Sequence, residues 1–251
     1  MYRLLRRVGQ LAHRGRQRAP NPHPKPRAVT ARAPNEVYSW DITYLPAAIK
    51  GRFYYLYLFL DLFSRMIVGW QVYDAEDGDH ASQILRDICR REGIAPGQVT
   101  LHSDNGGPMR GATMLATLRE LGVTPSFSRP AVSDDNPYSE ALFRTLKYRP
   151  QYPRHPFASL QQARAWVTRF VHWYNQEHRH SAIRFVTPEQ RHQGLDTALL
   201  AHRQTVYAAA RACAPQRWSG PLRNWSRIDV VHLNPDTAEM PARKNNLKRA
   251  A

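Results

Sequence analysis

The sequence is poor in cysteine, in acidic residues and in long apolar runs, and each shortage excludes a class of protein. Only Cys89 and Cys213 occur in 251 residues. Two are too few for a disulfide framework or a two-Cys, two-His zinc site, and they suit a reducing compartment. No window holds the roughly 18 consecutive apolar residues of a membrane span. The N-terminal stretch is basic but lacks the apolar run of a secretory signal. Asp and Glu total 20 against 36 Lys and Arg, a formal net charge of +16. What is present is a basic chain that is 42% apolar, enough for a core. Its length has room for one catalytic-sized domain with appendages. The expected partner is a polyanion, with nucleic acid first and no membrane.

Acid is scarcest in residues 1–35, which hold nine Lys or Arg, among them Arg14, Arg16 and Arg18, and no Asp or Glu. Five of the nineteen prolines also fall there. So little apolar surface cannot offset the entropy of ordering, and residues 19–35 read as a semi-rigid extended linker. The stretch is either a solvated tail or an arm along DNA phosphates. Its lack of acid favours the arm, whose binding should be salt-sensitive through counterion release. Tyr2, Leu5 and Val8 read as the end of a helix that begins upstream, so the arm is expected to be the remnant of an N-terminal DNA-binding domain. The tail carrying Arg243, Lys244, Lys248 and Arg249 reads as solvated charge. The expected organisation is an arm and linker over 1–35, a core over 36–195 and a helical extension with basic tail over 196–251.

Within the core, Val37 to Leu45, Phe53 to Leu62 and Met66 to Tyr73 read as three antiparallel strands. Helical spacing follows over His80 to Arg91, ended by Gly93. A strand at Val99 to Leu101, a helix from Thr113 to Leu121 and a strand at Val123 to Phe127 complete an α/β pattern with a mixed sheet. Asn136 and Pro137 read as the N-cap and first residue of a helix that carries Glu140, Arg144 and Lys147 on one face. Ser159 with Gln162, and Thr187 with Gln190, are capping-box pairs opening further helices. Ala198 to Ala212 also reads as helical. No internal repeat is visible.

Three acids stand at the ends or edges of these elements: Asp41 in a strand of aromatic and branched residues, Asp104 where a strand runs into a Gly-containing loop, and Glu140 at a helix start. Taken singly, each reads as a turn or capping residue. As a set on a basic chain they are the oxygen donors a hard divalent ion takes. Two such ions about 3.5–4 Å apart can clamp both oxygens of an in-line phosphoryl displacement. Asp61 reads instead as a turn anchor for Ser64 or Arg65. Asp134 and Asp135 read as loop residues. His102 reads as support for Asp104 or as a satisfied loop histidine. His178, Arg179 and His180 lack the further ligands of a metal site, and Trp173 to Ser181 reads as helix packing with DNA-facing polar groups. Tyr54, Tyr55 and Tyr57 read as sheet residues.

Trp40-Asp41-Ile-Thr-Tyr44, His102-Ser-Asp104-Asn-Gly106, and Asn136-Pro-Tyr-Ser-Glu140 followed by Lys147 resemble the signature of the DDE integrase core. That core is shared by retroviral integrases and bacterial insertion-sequence transposases. Thirty-five residues separate Asp104 from Glu140, which is the family's spacing. Asp61 to Arg65, Leu146 to Pro150 and Trp173 to Ser181 also resemble the bacterial branch, in particular a second-reading-frame transposase truncated at its N-terminus. The likeness spans roughly residues 34–195. It implies an α/β, ribonuclease-H-like fold with a mixed five-stranded sheet flanked by helices. It implies two Mg²⁺ (or Mn²⁺) ions on Asp41, Asp104 and Glu140 as catalytic ligands, and Lys147 and Arg144 as DNA contacts beside Arg14, Arg16 and Arg18. The implied activity is DNA cleavage and strand transfer by 3′-hydroxyl attack, without a tyrosine nucleophile. Double-stranded DNA, both element ends and target, is the implied partner, with a homo-oligomer in the bacterial cytoplasm at the nucleoid. The competing expectations are an inactive DNA-binding remnant and a ribonuclease-H-like nuclease.

Overall fold

The computed structural model describes residues 2–7, which form the short α1 (Tyr2–Arg7), 28–129 and 135–235. Its centre is a five-stranded sheet in which β2 (Val37–Pro46), β3 (Phe53–Asp61) and β4 (Ile67–Tyr73) pair antiparallel. β5 (Thr100–Ser103) runs parallel to β2, and β6 (Thr124–Phe127) runs parallel to β5, giving the order β4-β3-β2-β5-β6. The two-residue period of the strands sends Tyr38, Trp40, Tyr57 and Phe59 to one face and Leu45, Leu56, Leu58 and Leu60 to the other.

The first face is covered by α2 (Gly78–Glu92) and α4 (Ala112–Leu121), with the short α3 (Gly107–Arg110) between them. Trp40 lies flat on Phe59 in this layer, ring centroids 5.1 Å apart. Gly69 lets α2 approach β4 closely, since a Cβ there would collide with Ile88. The second face is covered by α5 (Pro137–Tyr148) and α6 (Leu160–Gln176). Asn175 of α6 is tied to both backbone groups of Ile67, accepting from its N–H at 2.9 Å and donating to its carbonyl at 3.0 Å. This is the mixed sheet flanked by helices that the sequence led us to expect. Gly93 closes α2 in the left-handed conformation, with φ at 63°.

The chain ends depart from the sequence reading. Val29–Ala31, inside the expected linker, forms β1 and pairs antiparallel with β7 (Val231–Leu233), inside the expected helical extension. Ala31, Leu233 and Phe63 share a small core there. Three-residue strands are too short to show alternation, and their partners lie some 200 positions apart, so no local pattern marks them. α7 (Pro188–His192) carries the full Thr187–Gln190 capping box, and α8 (Asp196–Cys213) follows. Arg191 of α7 is fully buried between the Phe63 carbonyl at 2.7 Å and Asp196 at 3.2 Å, which fastens these helices to the β3–β4 turn. Among the described residues no helix is long and apolar enough to cross a membrane.

Candidate active site

β2 and β5 run parallel, with Ser39 opposite His102. Two residues beyond that pair, Asp41 lies within β2 where its parallel pairing with β5 has ended, and Asp104 lies just past the carboxyl end of β5. In open α/β sheets that end is where ligands bind. Asp41 shares its sheet face with Ser39 and Thr43, the face that α5 covers. A groove along this face is lined by Thr43, Glu140, Phe143, Arg144, Lys147 and Tyr148. Glu140, Arg144 and Lys147 therefore share one side of α5, as their spacing requires.

The Asp41 carboxyl is pushed up to about 7, first by burial and then by the negative charges of Asp104, Glu140 and Glu76. One of its oxygens accepts the Ile42 N–H at 2.7 Å, which works in the opposite direction. Burial holds the Lys147 ammonium below its usual range, while the Asp41 charge acts the other way. These influences place Asp104, Glu140 and Lys147 within electrostatic reach of Asp41. Among the described residues, however, no three His, Cys, Asp or Glu side chains close around one point as a metal site requires. Like charges repel, so drawing them together takes a cation. The donor set itself suits a hard divalent ion: three carboxylates and no sulfur.

Several further residues hold these acids in place, and of them Ser39, Ser128 and Ser139 carry no signal in the sequence. Ser128 donates to Asp104 Oδ1 at 2.7 Å. Buried His102 donates from Nε2 to the Asp135 carbonyl at 3.0 Å and accepts from Ser126 through Nδ1 at 2.9 Å. It also lies 3.3 Å from the Ser128 hydroxyl, so it backs the residue that holds Asp104. Burial lowers its pKa, in keeping with a neutral ring. Asn136 corrects the capping expectation. Its position opens α5, but its side chain makes no cap. It accepts from Ser39 Oγ at 2.6 Å instead, and Ser39 also meets Ser139 at 2.6 Å. All three are buried, so the start of α5 is pinned to β2 two residues from Asp41 and one from Glu140. Glu76, in the loop after β4, is a further acid beside Asp41 that the spacing did not single out.

The remaining candidates separate cleanly. Asp61 accepts from Ser64 N–H and Oγ at 2.6 and 2.7 Å, and from Asn35 N–H at 2.8 Å, which makes it a turn anchor. Asp135 is gripped by Arg129 through both oxygens. His178 and His180 pack in a ring cluster with Tyr174. Tyr57 is fully buried sheet core. Arg14, Arg16, Arg18 and Asp134 lie outside the described residues.

Two family models described as "Integrase core domain" match the chain, over residues 31–133 and 121–188. Together they run from 31 to 188, well over half of the sequence. The transposase for insertion sequence element IS904 of Lactococcus lactis is 30% identical over 160 residues, covering 63% of this chain and 62% of the relative. Transposase InsF of insertion sequence IS3A from Escherichia coli is 32% identical over 162 residues, covering 64% of this chain and 54% of the relative. The chain thus spans a little over half the length of these relatives. A simian T-cell lymphotropic virus intasome, solved in complex with a PP2A regulatory subunit, superposes with a TM-score of 0.53. It is 18% identical and covers 70% of this chain and 60% of that one, a likeness of fold. With its mixed five-stranded, ribonuclease-H-like sheet and both matches falling on it, the chain belongs to the integrase-core family.

Proposed function

We propose that this chain is the catalytic part of a DNA transposase, a metal-dependent polynucleotidyl transferase. It would cleave the end of a mobile element and join the freed 3′-hydroxyl to target DNA. The observation that carries the reading is the placement of Asp41 on the sheet face that α5 covers, with Asp104 and Glu140 within reach of its charge, on a chain of net charge +16. Carboxylates gathered on a protein built to attract DNA would repel its phosphates. Bound divalent cations remove that conflict.

Asp41, Asp104 and Glu140 are the proposed ligands of two Mg²⁺ or Mn²⁺ ions, which when bound supply activation of the attacking oxygen and stabilisation of the leaving one. Ser128, backed by His102, holds the Asp104 carboxylate in one orientation. The Ser39–Asn136–Ser139 contacts hold the strand bearing Asp41 against the helix bearing Glu140. Lys147 and Arg144 border the acids and take the phosphates on either side of the scissile bond, which sets register without reading sequence. Arg14, Arg16 and Arg18 are proposed to follow the duplex further out. The partners are element-end and target DNA, the assembly is a homo-oligomer on paired ends, and the setting is the bacterial cytoplasm at the nucleoid.

The test is strand transfer on oligonucleotides carrying the element's own ends, with Mg²⁺. Asp104→Asn should lose both cleavage and joining while retaining DNA binding. Unchanged joining by that variant would sink the assignment. Cleavage by the wild-type chain without joined product would favour a nuclease, and binding without either would favour an inactive remnant.

A further inference from the structure

A large cavity lies on the other side of α5 from the carboxylate groove. It encloses about 1210 Å³ between α5, the residues that follow α6, and the chain after β7. Leu142, Ala141 and Tyr174 form an apolar wall, and Arg65, Arg179 and His232 supply polar groups. Asp135 is the one acid among the lining residues, and Arg129 takes both of its oxygens.

Arg65 is the unexplained residue. It is 8% exposed, and its Nη1 is buried with no hydrogen-bond partner among the described residues. Among the described residues no carboxylate pairs with it. The guanidinium lies over the Tyr138 ring at 4.1 Å, a contact weaker than the hydration a buried cation gives up. Arg65 also closes the β3–β4 turn with φ at 65°, a left-handed conformation that Gly or Asn adopts with less strain. Its charge influences both Tyr174 and His180 across the cavity. Of the four buried side-chain polar atoms without a partner among the described residues, only that of Arg65 belongs to a cation, and a strained, buried cation of this kind calls for an anion from outside.

We infer that this cavity receives a phosphate-bearing nucleotide of a DNA strand, with Arg65 as its anchor and Arg179 at its mouth. The volume exceeds the roughly 300–1,000 Å³ of most small-ligand sites, which leaves room for a nucleoside with flanking phosphate. Arginine is the side chain that matches a phosphate with paired donors. The inference rests on the proposal above only in taking the partner to be nucleic acid, and not on the carboxylate chemistry.

Calorimetric titration of the whole chain in EDTA with the 5′-phosphorylated dinucleotide pdTdT, against unphosphorylated dTdT, tests it. No metal and no strand transfer are involved, so failure of either proposal is seen separately. The phosphorylated probe should bind about tenfold tighter than dTdT, and Arg65→Met should remove that preference. Probe-free Arg65→Met should melt at or above the wild-type temperature, because the unpaired charge is gone. Equal binding of the two probes, or unchanged pdTdT affinity in Arg65→Met, overturns the inference. A lower melting point of probe-free Arg65→Met overturns it as well.

Discussion

Asp41→Asn isolates the cost of crowding carboxylates at the middle of β2. An aspartate ionises near 3.8 in the unfolded chain and at about 7 in the folded one, so the folded state disfavours the charged form. That rise alone is worth about 4 kcal/mol. The carboxylate is half-buried, and water screens part of the repulsion, which leaves about 2 kcal/mol. The sign follows from linkage. Below 3.8 the group is neutral in both states and costs nothing. Stability then falls as pH rises through the window from 3.8 to 7, and the full penalty applies above it. Asparagine keeps an oxygen for the Ile42 N–H and removes the charge. In EDTA at pH 8.5, calorimetry should show Asp41→Asn melting about 4–8 °C above wild type, at 2–4 °C per kcal/mol for this chain length. At pH 5 the gain should shrink to less than half. Added Mg²⁺ should raise the wild-type melting point at pH 8.5 and do much less for the variant. A variant no more stable than wild type at pH 8.5, or one equally stabilised by Mg²⁺, would refute the reasoning.

Asn136→Ala should cost about 1–3 kcal/mol in denaturant unfolding, since it removes the buried bonds to the Ser39 hydroxyl and the Trp40 carbonyl and leaves Ser39 with Ser139 alone. It should also slow strand transfer while leaving DNA affinity near wild type, because it loosens β2 against α5 and removes no phosphate contact. Lys147→Ala should leave the melting temperature within a degree or two and weaken DNA binding alike for all sequences. The slope of log affinity against log salt should fall by about one for the lost phosphate contact. An unchanged slope would remove Lys147 from the DNA interface.

How much was legible in the sequence follows from the range of each interaction. The central strands announced themselves because aromatic and branched residues alternate across two buried faces. The ends of α2 and α7 were legible because Gly93 and the Thr187–Gln190 pair act within one turn. The acids stood out because carboxylates are costly in such surroundings. β1 and β7 were hidden, because each is too short for a pattern and is stabilised by the other end of the chain. Asn136 was misread for a related reason. An N-cap position advertises a local bond, and nothing nearby shows that Ser39, 97 residues away, competes for the same oxygen. Arg65 was passed over as part of a turn, since burial without a partner is a property of the folded molecule alone.

The same helix thus serves two opposite electrostatic demands. The α5 side bearing Glu140, Arg144 and Lys147 faces carboxylates that need cations. The side bearing Tyr138, Ala141 and Leu142 faces a cavity whose buried guanidinium needs an anion. On the proposed reading, a DNA strand with bound divalent ions would supply both, with metal on one side and phosphate on the other. Occupying one side should therefore favour the other through the Ser39–Asn136–Ser139 contacts that fix the start of α5. Asn136→Ala should weaken that coupling more than it weakens either site measured alone.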